Sequence, residues 1–537
     1  QGYTYNMEGG KLVREKLDSE SMYKEERTEN WHLMKFAMPN VKEGSVIEYS
    51  YVVSSEFLFN LRGWEFQTTI PVEHSEYKVR IPTKLNYKLE QQGYLNLDVA
   101  KKSFKGTDLT YHFAISNVPA IYPEKYITTL RDFQSRVDFE LQSIQFKDWP
   151  LHTITGNWEE VTKEMLKAEL FGKQLNQKGF FKNEIAAVTE KYSTPEQQMI
   201  AVHDFVKNNV KWNGIYNYGP SGPIRKAYEN KKGNSADINL LLIAMLRNIG
   251  LDAAPVLLST RENGRMPESP MLTKFNYVIA HVVVGGKEYL LDATDPLLPA
   301  GMLPVHCLNG QGRLVKEVDQ RWVALAPSAM DTKFFNGELT INSNGALAGK
   351  ASESSNGYNA LRLRKEIKDD GEEKYAEKIS KEIGNYKIEK PAFSNVTDLE
   401  KTLKIDYQIT STGSDKDVNV IYFNPMLEQG EKENPFKLET RLYPVDLAVP
   451  IDYTYMCRFA LPEGYEVEEA PKNAVVTLPE NGGMFMYMIE KQGSSVQVTS
   501  KISVSKPIYY APDYPYLKEF YNLIIAKHAE QIVLKRK

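Results

Sequence analysis

The sequence predicts a multidomain α+β protein with an N-terminal antiparallel β-sandwich, a central α+β core and a C-terminal β-rich domain. Three observations predict it. A chain of 537 residues exceeds what one hydrophobic core supports. Period-2 alternation dominates up to about residue 150, and helical spacing then takes over before mixed structure runs to about residue 330. The expected domains are therefore 1–150, 151–330 and 331–537.

In the first of these, Ile47, Tyr49, Tyr51 and Val53 alternate with polar or smaller neighbours. So do Tyr77, Val79 and Ile81, then Leu109, Tyr111, Phe113 and Ile115, then Val137, Phe139 and Leu141. This is the signature of strands with one wet face. From Trp158 to Asn209 the spacing is helical, with a fresh start at Thr194-Pro195, a cap followed by proline in the first turn. The last third places Ala376, Ile379 and Ile383 on one helical face and predicts a strand through Leu403, Ile405, Tyr407 and Ile409. A second strand through Val496, Val498, Ile502 and Val504 has its alternation broken by Ser500, and an amphipathic helix from Leu517 to Val533 closes the chain.

Composition excludes some functions. The 66 basic against 70 acidic residues give a net charge of -4, with no electrostatic case for nucleic acid as the main partner. The most apolar stretch, Ile238–Leu246, is less than half of a bilayer span, so no transmembrane segment is expected. The chain opens on Gln1, as a processed or truncated chain would. Cys307 and Cys457 permit at most one disulfide. None of the eight histidines pairs at zinc-ligand spacing, so His203, His306 and Cys307 read as structural or exposed, and neither metal nor cofactor is assigned.

Two stretches carry candidate chemistry. Lys232–Asp237, K-G-N-S-A-D, opens the apolar helix Ile238–Asn248, which stops before Gly250. Ser235 stands at its start, where unpaired N–H groups and the helix dipole stabilise an anionic nucleophile or a developing oxyanion. Phe275–Thr294, FNYVIAHVVVGGKEYLLDAT, reads as a hairpin turned by Gly285-Gly286 and ending in Asp292.

These stretches resemble the transglutaminase-like superfamily, in the bacterial group whose core follows an N-terminal β-domain of uncharacterised function. The resemblance covers about residues 190 to 330. It rests on Trp212, on G-N-S-A-D where the family usually has G-D-C-x-D, and on the F-N-Y…L-D-A-T hairpin. The N-terminal 150 residues, including N-V-K-E-G-S-V-I-E-Y-S-Y, resemble the companion domain, and the C-terminal third loosely resembles the trailing one. The resemblance implies a papain/transglutaminase-like core and an extracytoplasmic, periplasmic or secreted, setting. It places the nucleophile at Ser235, the base at Tyr277 and the orienting acid at Asp292, and only the last matches. His281 lies eleven residues before Asp292 where the family spacing is met by Tyr277, and sits roughly 13 Å further along the strand.

Serine in place of a thiol depends on a positioned base, and a phenol of pKa about 10 does not supply one at neutral pH. The expectation is thus a catalytically inactive module that binds or scaffolds peptide, protein or glycan. Its rival is a papain-like peptidase, amidase or acyl transferase using Ser235 with His281 and Asp292. An introduced Cys-to-Ser change would account for position 235 but not for Tyr277. Trp212, Tyr216 and Tyr218 precede the nucleophile turn and could offer stacking surfaces. Arg261 could clamp a carboxylate or pair with an acid such as Glu262.

Overall fold

In a computed structural model the described residues are 1–28, 31–54, 61–146, 150–382 and 384–537. They form two units, Gln1–Phe59 and Asn60–Lys537. In the first, Gly2–Glu8 pairs with Lys11–Lys16 on one side and Val46–Tyr49 on the other, and Met22–Thr28 pairs with Trp31–Phe36. Among the described residues these strands pair with one another. The strand expected to run through Val53 ends at Tyr49, opposite Gly2, and Ser50 follows with reciprocal hydrogen bonds to Gln1. Ile47 and Tyr49 are exposed, whereas Thr4 and Asn6 are buried.

The second unit begins with two packed sheets. One orders Val72–Pro82, Asp108–Val118 and Val99–Lys105; the other pairs Arg136–Ile144 with Leu85–Gln92, Trp64–Glu65 and His152–Thr153. Val79, Ile81, Phe113 and Ile115 from one meet Leu85, Val137, Phe139 and Leu141 from the other in a single core. This is the expected sandwich, its inward residues set by the period of two.

Three helices follow, Trp158–Lys167, Lys182–Lys191 and Pro195–Asn209. Thr194 caps the last, its Oγ1 accepting from Gln197 N at 3.3 Å. An all-antiparallel sheet then runs in the order Lys287–Leu291, Tyr277–Val284, Asp252–Leu258, Gln311–Leu314, Trp322–Ala324. Against one face lies the helix Ser235–Asn248, packed with Val278, Ala280 and Val282. Tyr277, Ile279, Val256 and Leu258 occupy the other face, with Leu361 and Val449 from the C-terminal part. Every residue of the helix from Ser235 to Leu246 is buried, which is why its sequence is apolar all round rather than striped. Each buried leucine or isoleucine there contributes about 2 kcal/mol.

The C-terminal part is built on one eight-stranded sheet in the order Tyr386–Ser394, Leu403–Ser411, Leu347–Asn356, Asp331–Ile341, Ile451–Ala460, Ser495–Val504, Gly483–Gln492, Ala474–Thr477. All neighbours are antiparallel except Asp331–Ile341 and Ile451–Ala460, which run parallel. Helices Gly357–Asp370, Glu372–Glu382 and Tyr514–His528 share its core. Ser500 does not interrupt the inward alternation of its strand. It is buried and its Oγ meets His528 Nε2 at 2.8 Å. The closing helix stops at His528, and Val533 belongs to the strand Ile532–Arg536, which pairs with Val420–Phe423 and Tyr465–Glu469. Ile379 packs as expected, while Ile383 lies outside the described residues.

Candidate functional site

The start of the central helix is locked by its own side chains. Asn234 Oδ1 accepts from Asp237 N at 2.8 Å and Asp237 Oδ2 accepts from Asn234 N at 2.8 Å, a reciprocal cap. Asp237 also accepts from Ser221 N and Ser221 Oγ, so an anion already occupies the positive end of the helix. Gly233 is needed here because a Cβ would lie 2.6 Å from Asp237 Cβ. Within this turn Ser235 is 0% exposed. Its Oγ donates to Asn217 O at 2.8 Å and accepts from Asn217 N at 2.9 Å. The hydroxyl therefore staples the helix to the preceding loop and keeps no free proton.

At the end of the hairpin, Asp292 is also 0% exposed. Its Oδ1 accepts from Asn239 Nδ2 at 3.2 Å and Thr294 N at 2.8 Å, and its Oδ2 from the Tyr277 hydroxyl at 2.7 Å. Asn239, one turn beyond Ser235, also donates to Val278 O and accepts from Ala293 N. His203 donates from Nε2 to Asp292 O at 2.9 Å, and burial pushes its pKa down to about 4. Burial first, and the neighbouring Asp292 second, hold the Tyr277 phenol well above its ordinary range.

A row of rings leads out from this end. His306 stacks on Tyr216 with centroids 4.8 Å apart and meets the edge of Tyr277 at 5.1 Å, while Tyr216 stacks on Trp212 at 5.1 Å. Beyond them opens a cleft of about 1240 Å³, lined by Trp212, Tyr216, Arg261, Thr294, His306 and Tyr358 among others. Cys307 Sγ is buried behind His306, 3.9 Å from Asp292 Oδ2.

Residues 183–291 match the transglutaminase-like superfamily, residues 2–122 a domain of unknown function with a solved structure (DUF3857), and residues 419–534 another (DUF3858). The middle of the chain is a transglutaminase-like core. The whole chain is similar in fold to a Parabacteroides distasonis ATCC 8503 protein provisionally named a protease, with a TM-score of 0.61 at 13% identity over 99% of this chain and 88% of that one. A Cytophaga hutchinsonii protein provisionally named a cysteine protease aligns over 44% of this chain and 70% of that chain at 13% identity, with a TM-score of only 0.19. No curated protein matches.

In this transglutaminase-like core neither Tyr277 nor His281 hydrogen-bonds Ser235, whose oxygen is shared with Asn217 alone. Tyr277 is turned to the sheet face opposite the helix cluster and is committed to Asp292 and Thr294. His281 lies further along the same strand, buried, with Nε2 3.2 Å from Glu288 Oε2. The combination of Ser235, His281 and Asp292 is therefore not assembled. Of the expected binding residues, Trp212, Tyr216 and Arg261 line the cleft. Tyr218 does not; it packs edge-on against Phe275 at 6.4 Å. Nor does Tyr277, which is fully buried. Arg261 is no free clamp, because its Nη1 pairs with Asp446 Oδ1 at 3.0 Å and also donates to Leu308 O.

Spacing along the chain does not report residues that the fold brings together. Asp292, His306 and Cys307 each present one ligand atom, all within 4.8 Å of one another. Asp292 and Cys307 are 15 residues apart, joined by an irregular proline-rich loop that matches no regular ligand interval. The adjacency of histidine to cysteine at 306–307 was the one available signal.

Proposed function

We propose that this protein is a non-catalytic transglutaminase-like module, acting outside the cytoplasm, that binds a peptide or glycan in the aromatic cleft beside the former active site. The observation that carries the reading is the state of Ser235: buried, both of its hydrogen-bonding directions taken by the Asn217 backbone, and with no imidazole hydrogen-bonded to it among the described residues. An activated serine needs a base within about 3 Å, and the nearest family position holds a phenol whose proton is bound to Asp292. The cleft remains, with stacked Trp212 and Tyr216 on its wall, and concave sites with aromatic walls are the usual place for ligands. The periplasmic or secreted setting follows from the resemblance of the chain to its bacterial group.

The test is activity-based labelling of the intact chain with a fluorophosphonate, together with a peptide and glycan binding screen read against Tyr216→Ala. The expected outcome is no labelling and a ligand whose binding weakens in the variant. Stoichiometric labelling that disappears in Ser235→Ala would restore the hydrolase reading.

A further inference from the structure

We propose that Asp292, His306 and Cys307 form a binding site for a thiophilic divalent cation of the Zn²⁺ class at the inner end of the cleft. The three ligand atoms lie within 4.8 Å of one another. A four-coordinate ion with a metal–sulfur distance of about 2.3 Å and a metal–oxygen distance of about 2.0 Å sets the two donors about 3.5 Å apart. Cys307 Sγ and Asp292 Oδ2 stand at 3.9 Å, so closure asks for a few tenths of an ångström. One sulfur, one imidazole and one carboxylate make a donor set suited to zinc and poorly suited to magnesium or calcium.

Two further observations point to an ion rather than to a packed polar cluster. The His306 Nε2 atom is buried and has no hydrogen-bond partner, although a buried polar atom normally finds one. Asp292 is a fully buried carboxylate that receives only neutral donors, from Asn239, Thr294, Tyr277 and the Cys307 thiol. Among the described residues no lysine or arginine pairs with it, and a buried anion without a counter-charge is costly.

An outer shell is also present. Asn239 Nδ2 and Thr294 N hold Oδ1, and Tyr277 holds one lone pair of Oδ2, leaving the other on the side of Cys307. Such partners orient ligating carboxylates. Because His306 and Thr294 line the cleft, the fourth position is open to water or to an oxygen of a cleft ligand. Binding exchanges the Cys307 S–H proton for the metal: one M²⁺ enters, the thiolate becomes a ligand and one proton leaves to solvent.

Cobalt is the probe, because its thiolate complexes are coloured. The intact protein, stripped with a chelator and dialysed, is titrated with Co²⁺ and followed by absorption. The expected result is a single Co²⁺ per chain, a thiolate-to-cobalt charge-transfer band in the near ultraviolet, four-coordinate visible bands, and bleaching by equimolar Zn²⁺. Cys307→Ser should remove the charge-transfer band. His306→Gln, at the cleft surface where folding is least at risk, should weaken affinity at least 100-fold, and Tyr277→Phe about 10- to 100-fold. Absence of any band overturns the site. So does a band that survives Cys307→Ser, which would belong to Cys457, or an affinity unchanged in His306→Gln.

Discussion

The two ends of the site in the transglutaminase-like core differ in how their polar groups are satisfied. At the nucleophile end every polar group is answered: Ser235 by Asn217, Asn234 and Asp237 by each other, Asp237 again by Ser221. At the acid end, Asp292 is a buried carboxylate with only neutral partners among the described residues, and His306 Nε2 is buried without a hydrogen-bond partner. The difference teaches that the two ends answer to different physical demands. A serine can be absorbed into helix packing, whereas a buried carboxylate continues to demand a partner.

The acid end should be the energetically sensitive one, and several variants can sharpen or break that contrast. The largest effect is expected from Arg261→Ala on the cleft wall, which strands Asp446 at 7% exposure without its cation. Such a change costs about 3–5 kcal/mol, and chemical denaturation should show it as a lower midpoint. A loss below 1 kcal/mol would mean the pair is solvated.

Next comes pH. His203, under Asp292, has its pKa held down to about 4 by burial, and His528, against Ser500, likewise to about 4. Both stay neutral in the folded protein, whereas the unfolded chain takes up their protons below about 6.5. Stability is therefore full above pH 6.5 and falls as pH drops from 6.5 towards 4, by up to about 3 kcal/mol per histidine. His203→Gln should flatten this slope, and an unchanged slope would assign it elsewhere.

Ser235→Ala should cost only about 1–2 kcal/mol, the worth of its two backbone bonds, and a melting curve decides it. If that variant destabilises as much as Arg261→Ala, the Ser235 hydroxyl does more than hold two backbone groups. The smallest change is expected from Ser235→Cys, whose thiol, buried like the hydroxyl it replaces, should alkylate slowly in the native protein. Because Tyr277 is turned to the other sheet face, adding Tyr277→His should leave that rate low, and a reactive thiolate at neutral pH in the double variant would show the two positions to be side by side.

What could be read from sequence was what local pattern controls. The hairpin Tyr277–Leu291 declares itself by alternation and its Gly285-Gly286 turn, and the central helix by its apolar run after Asn234. What escaped depends on residues far apart in the chain. The strand Val46–Tyr49 takes Gly2–Tyr5 as its partner rather than running on to Val53, and Ser500 finds His528. Arg261 is captured by Asp446, 185 residues on. The final strand was mistaken for helix because Ile532, Val533 and Leu534 are apolar in either periodicity, and only their buried, half-buried, buried pattern in the fold reveals a period of two. At the site, Ser235, Tyr277 and Asp292 were found by resemblance, whereas the approach of His306 and Cys307 to Asp292 is made by a loop that no periodicity describes.

The single parallel ladder in the C-terminal sheet, Asp331–Ile341 against Ile451–Ala460, bears on how the cleft wall is assembled. On either side of it the strands form antiparallel groups from nearby sequence, which can assemble independently. The ladder itself must wait for segments separated by more than a hundred residues, and such nonlocal closures are slow. It begins at Asp331 and Ile451, with Asp331 N donating to Pro450 O at 2.8 Å, and Asp331, Leu447 and Val449 form part of the cleft wall. The part of the cleft wall supplied by Asp331, Leu447 and Val449 therefore depends on this ladder, whereas the stacked rings of Trp212 and Tyr216 belong to the transglutaminase-like core.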